Sequence, residues 1–151
     1  MIEEKIRQLG FELPEVAKPL AAYIPAKKVG NLVMTSGQVP VVKGEMKYIG
    51  KVGKDLSEED AQKAAQICAL NCLAAIKSIV GSLDSVEEVV KLTVFVNSAD
   101  GFTSQPKVAN GASELVGKIF GENGLHVRSA VGVNELPLNA TVEIEMIVRV
   151  K

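Results

Sequence analysis

HVRSAVGVNELPLNATVEIEMIVRV, residues 126–150, decides how this chain folds. Val142, Ile144, Met146, Val148 and Val150 alternate with Thr141, Glu143, Glu145, Ile147 and Arg149. A period of two marks a strand with one buried face and one wetter face. Upstream, Val127, Val131 and Val133 fall on one face of a second strand, and His126, Arg128, Ala130 and Gly132 on the other. A turn centred near Pro137 and Leu138 makes the stretch a β-hairpin. In that hairpin Arg128 shares a face with Glu143, while Val131 and Val133 join Val142 and Ile144 on the core side. The two charged groups then stand ~13 Å apart along the strands, at ~3.3 Å per residue. That gap admits a small substrate and a water, or a group from another subunit. An arginine fork suits a carboxylate, and a glutamate can orient or deprotonate water. The same two residues also fit an ordinary wet face or a subunit contact.

Working outward, Leu92–Val96 is a strand rich in β-branched residues, and Ser104–Phe120 is a long helix ending near Gly121 or Gly124. Another long helix starts at Ser57 with Glu58, Glu59 and Asp60 in its first turn, where the helix dipole favours negative charge. Ala64, Ala65, Cys68, Cys72, Ala75, Ile76, Ile79 and Val80 follow at helical spacing, with Gly81 as the stop. Ser85 and Glu88 match a capping box for one helical turn. Tyr23–Lys28 and Leu32–Ser36 are strands around a turn at Gly30 and Asn31, and Gln38–Leu56 is a long loop with one edge strand. Ile2, Ile6 and Leu9 predict a short helix stopped by Gly10, and Phe11–Pro19 a connector. Residues 1–19 are then an N-terminal extension of a single domain, 1–151. Helices on one face of a mixed sheet make an α+β fold.

Composition sets bounds on function. A net charge of −1 gives the chain no general pull toward nucleic acid, and 4% aromatic residues with no Trp leave few platforms for stacking bases. No apolar run is read as nearing the ~20 residues of a membrane span. The start, MIEEKIRQLGFELPE, has neither the basic head nor the apolar core of a signal peptide, so a cytoplasmic location is expected. Cys68 and Cys72 read as small core residues, because no His or Cys cluster completes a metal site.

Three segments carry a family resemblance: GNLVMTSGQVP (30–40), KLTVFVNS (91–98) and RSAVGVNELPLNATVEIE (128–145). Together they resemble the YjgF/RidA family, the reactive intermediate deaminases also called the endoribonuclease L-PSP family. The resemblance implies a chorismate-mutase-like α+β fold, two long helices on one face of a mixed sheet, and a homotrimer around a central β-barrel. It implies hydrolysis of 2-imino acids, such as those derived from 2-aminoacrylate, to 2-keto acids and ammonia in clefts between subunits. No cofactor or metal is implied, and the partner is a small carboxylate substrate. Residue by residue, Arg128 would hold the carboxylate and Glu143 the attacking water. Tyr23 would close over the ligand, Ser36 would add a hydrogen bond, Gly37 would allow close backbone approach, and Asn110 would line the site. Ala130 stands where many members have cysteine. The competing functions are a trimeric sensor of a carboxylate metabolite and an endoribonuclease or translation inhibitor. The RNA reading requires Lys27, Lys28, Lys43, Lys47, Lys51 and Lys54 to gather beside the cleft. Chorismate mutase activity would rest on fold analogy alone.

Overall fold

The computed structural model describes residues 1–16 and 22–151; the end of the expected connector, 17–19, lies outside them. The elements are α1 (Ile2–Gln8), β1 (Ala26–Val29), β2 (Leu32–Thr35), β3 (Val41–Val42), β4 (Glu45–Met46), α2 (Glu58–Val80), β5 (Val86–Asn97), α3 (Gln105–Phe120), β6 (Val127–Val133) and β7 (Val142–Val150). Five strands form one sheet in the order β1-β2-β7-β5-β6, and β3 and β4 make a separate hairpin. The two long helices cover one face, which makes this the expected α+β fold.

The helix ends follow local chemistry. Ser57 Oγ accepts the Asp60 N–H at 3.1 Å, and Gly81 closes α2 at φ 86° with its N–H on the Lys77 carbonyl. α2 is 23 residues long and apolar enough in composition to cross a bilayer, which corrects the expectation that no segment nears such a span. Its apolarity serves the interior: Ala61, Ala64, Ala65, Cys68, Cys72 and Ile76 are all buried. α3 comes close to α2 at Gly111. A Cβ there would lie 2.3 Å from the Gln62 carbonyl oxygen, so only glycine lets the two backbones meet.

The N-terminal helix is docked. Ile6 is fully buried, Ile2 donates its N–H to Asp84 Oδ1 at 2.7 Å, and Leu83 donates to Glu3 Oε1 at 2.9 Å. The helical turn expected at Ser85–Glu88 is instead a 3₁₀ turn at Leu83–Ser85, where Ser82 Oγ accepts the Asp84 N–H at 3.2 Å. Glu88 already belongs to β5, opposite Arg149 on β7, and pairs with it at 3.2 Å. In the 38–56 loop, the β3–β4 hairpin turns on Lys43 and Gly44, both at positive φ.

The terminal strands do not form a hairpin. β6 pairs in parallel with β5, while β7 lies antiparallel between β2 and β5. The physical reason is α3. A strand, helix and strand in succession pack back on the sheet as a crossover unit, which seats β6 beside β5. β7 then fills the centre, where Val142, Ile144, Met146 and Val148 are buried. Arg128 and Met146 both flank Leu92 on the helix side. Val131 and Glu143 both flank Phe95 on the opposite face. Val131 is 43% exposed there and Val127 67%, so these valines line an uncovered apolar strip and not the core.

Gly111→Ala is expected to cost about 1–3 kcal/mol by overpacking. Urea unfolding of the variant against the native chain measures it, and an unchanged midpoint would refute the close helix approach.

Candidate functional site

The first group of predicted residues gathers where β2 runs on past its last paired residue. Ser36 N–H and Oγ both donate to the Pro25 carbonyl, at 2.9 and 3.2 Å, tying this strand end to the segment after Tyr23. Gln38 continues the ladder by exchanging backbone hydrogen bonds with Ile144. Gly37 therefore lies beside β7, where a Cβ would stand 2.4 Å from Glu143 Oε2. The missing side chain is the space that the carboxylate occupies. Burial raises the Glu143 pKa above the ordinary glutamate range, and repulsion from Glu145 adds to the rise. Tyr23, 50% exposed, stands at the rim of a cleft of about 990 Å³ that Ser36, Gly37 and Gln38 also line. Phe11–Val16, from the N-terminal extension, forms another wall of this cleft. Of the six lysines that an RNA site would need, only Lys43 lines it. Lys47 pairs with Glu45, and Lys51 is bound to Asn97 and the Asn134 carbonyl.

The second group is built on α3 and β6. Arg128 Nη1 donates to Asn110 Oδ1 at 2.8 Å and to Ser113 Oγ at 3.0 Å, and Nη2 donates to the Pro106 carbonyl at 3.1 Å. No carboxylate among the described residues stands within ion-pair distance of the guanidinium. Its positive charge is thus held by neutral acceptors, with two of its five N–H groups unused. Ser113 and the Pro106 carbonyl escaped sequence reasoning. Helical spacing could have found Ser113, since it lies one turn after Asn110 on the same face.

Within one chain the two groups do not meet. Arg128 faces the helices and Glu143 faces away from them, two strands apart, or about 10 Å across at ~4.8 Å per strand. The shared face expected from a hairpin is therefore corrected, because both side-chain parity and strand neighbours change when β6 pairs with β5. Ala130 sits on the helix side with Arg128. Among the described residues no three His, Cys, Asp or Glu side chains are placed to hold a metal ion. Cys68 and Cys72 are buried thiols on the carbonyls of Val142 and Ile144, and burial pushes Cys72 up to about 12.

A model of the YjgF/chorismate mutase-like endoribonuclease family matches residues 3–149. The chain belongs to this family. It is 40% identical to the protein TCP17 of Trypanosoma cruzi, over 97% of this chain and 92% of that one. A 2-iminobutanoate/2-iminopropanoate deaminase of Dermatophagoides farinae is 32% identical, over 89% of this chain and 91% of its own. Among solved structures, a protein of unknown function from Agrobacterium tumefaciens superposes with TM-score 0.94 at 43% identity, covering 99% of this chain and 92% of its own. The YjgF gene product of Escherichia coli gives 0.63 at 26% identity, covering 91% and 93%. The fold is common to both, but the chain's detailed shape follows the Agrobacterium protein far more closely.

Because the folded state raises the Glu143 pKa, it keeps that proton to higher pH than the unfolded chain does. Stability falls as pH rises through the interval between the two values. Glu143→Gln is expected to raise Tm at neutral pH, with the gain vanishing as pH drops below the ordinary glutamate range. Thermal melts of both proteins from pH 3 to 8 check this; a gain that persists at pH 3 would rule out the electrostatic origin.

Proposed function

We propose that the chain hydrolyses 2-imino acids and their enamine tautomers to 2-keto acids and ammonia, at sites between the subunits of a homotrimer. The observation that carries this reading is Arg128, a cation fixed by neutral acceptors with two N–H groups unspent. That arrangement suits a ligand carboxylate, which would supply the missing negative charge. The named activity of the Dermatophagoides relative points the same way. The placement of Arg128 and Glu143 on opposite faces favours a site completed by a second copy. Arg128 and Asn110 of one subunit would then face Tyr23, Ser36, Gly37 and Glu143 of the next. The uncovered strip of Val127 and Val131 favours association on the same face.

In this reading Arg128 clamps the carboxylate and holds the protonated imine carbon within reach of a water. Glu143 accepts a proton from that water as its oxygen bonds to the carbon. The proton then passes to nitrogen, and as the C–N bond breaks Glu143 takes the remaining hydroxyl proton, so that the carbon–oxygen double bond forms and ammonia leaves the 2-keto acid. A carboxylate with a raised pKa is a stronger base for the first transfer. Orientation and charge placement supply the acceleration. The scattered lysines disfavour the RNA reading.

2-Aminoacrylate generated in situ by a serine dehydratase should decay faster with the protein present. Arg128→Ala is expected to raise KM about 10–100-fold through the loss of charge-assisted bonds. Glu143→Gln should lower kcat about 10²–10⁴-fold with KM nearly unchanged. Carboxylate binding without any acceleration would replace the enzyme reading with a sensor. Val131→Lys should convert a trimer to monomers in light scattering and abolish turnover; a fully active monomer would overturn the intersubunit site.

A further inference from the structure

Behind Arg128 lies a chain of hydrogen bonds whose direction is fixed at both ends. A guanidinium can only donate, and a carbonyl can only accept. Arg128 Nη1 reaches Ser113 Oγ at 3.0 Å, Ser113 Oγ reaches His126 Nε2 at 2.9 Å, and His126 Nδ1 reaches the Gly124 carbonyl at 2.6 Å. The Gly124 carbonyl requires the proton on Nδ1. On a neutral ring Nε2 is then a bare acceptor, so the Ser113 hydroxyl donates to it. That leaves the Ser113 lone pairs facing Arg128. Every donor meets an acceptor, and all the bonds run one way. The opposite tautomer would set a bare Nδ1 against the carbonyl, two acceptors at 2.6 Å with no proton between them.

This geometry explains how the guanidinium is kept from turning. Both hydrogens of Nη1 are engaged, one by Asn110 and one by Ser113, and Nη2 is held by Pro106. Three acceptors define the plane of the group. A serine on a helix commonly turns its hydroxyl back to a carbonyl of the preceding turn. His126 prevents that by taking the hydroxyl proton.

We infer that Ser113 and His126 are positioning residues for Arg128: the imidazole, tied through Nδ1–H to the Gly124 carbonyl, orients the Ser113 hydroxyl, and Ser113 sets the plane in which Arg128 presents its two free N–H groups. The substrate-binding half of this assignment rests on Arg128 as the carboxylate anchor proposed above. In this assignment both residues act on turnover through Arg128.

The test combines spectra that need no turnover with kinetics that do. In the native chain, ¹⁵N NMR of the His126 ring should show a protonated Nδ1 and a bare Nε2, and the Arg128 Nη1 and Nη2 signals should be resolved by slow rotation. Ser113→Ala should merge the Arg128 signals, and His126→Phe should broaden them. In the imine assay each variant should raise KM about 5–10-fold, the effect of one lost hydrogen bond to a charged group, with kcat within about twofold. The double variant should be no worse than Ser113→Ala alone, because the histidine acts through the serine. An Nε2–H tautomer, additive losses, or a fall confined to kcat would overturn the assignment. If the native chain hydrolyses no imine, the proposed function fails, and the two spectra alone decide whether the relay holds Arg128.

Discussion

The parallel pairing of β5 with β6 is the constraint on which the rest depends. It places β6 at the sheet edge under α3, so that Arg128, opposite Leu92, finds its acceptors on that helix. It also clears the position beside β5 for β7, whose alternating residues then serve two faces at once. Even-numbered residues of β7 complete the core, and odd-numbered ones carry Glu143 and Glu145 to the opposite side. Had β6 and β7 paired directly, as their proximity in sequence suggests, Arg128 would have lost α3 and its neutral cradle.

Two close backbone approaches then set the fine geometry. Gly111 lets α3 lie against α2, and Asn110 and Ser113 flank that contact on the helix that holds the arginine. Gly37 lets a carboxylate settle against a strand end. At both places a missing Cβ is filled by a neighbour, once by a backbone carbonyl and once by a side chain. The N-terminal extension adds a boundary of its own, anchored through Ile6 and continued by Phe11–Val16 along the cleft.

Much of this was legible because it is local. Ser57, Gly81 and Gly121 mark helix ends through capping and backbone freedom within one turn, and all three serve as read. The period of two in residues 142–150 is equally plain, since it records burial on one face. Strand neighbours are another matter. Alternation states which residues share a face of their own strand, but carries no information about which strand lies alongside. Val127 and Val131 show the cost. Apolar residues at alternate positions look like core, yet here they face outward, and only the sheet order reveals it. Arg128, Glu143 and Gly37 stood out through the family resemblance. The Pro106 carbonyl did not, because a backbone oxygen leaves no pattern, and Ser113 could be reached only through its helical spacing from Asn110.

The two cysteines give the fold a built-in reporter. Cys68 and Cys72 are both wholly buried, hydrogen-bonded to β7 carbonyls, and kept in the thiol form by burial that raises both above their ordinary range. A thiolate reagent therefore finds no nucleophile in the folded molecule. Because these sulfurs sit between α2 and the central strand, the helix must leave the sheet before either can react. The rate of alkylation thus counts openings of the core and nothing smaller. It separates motion of the cleft walls from breathing of the whole domain, with no label added.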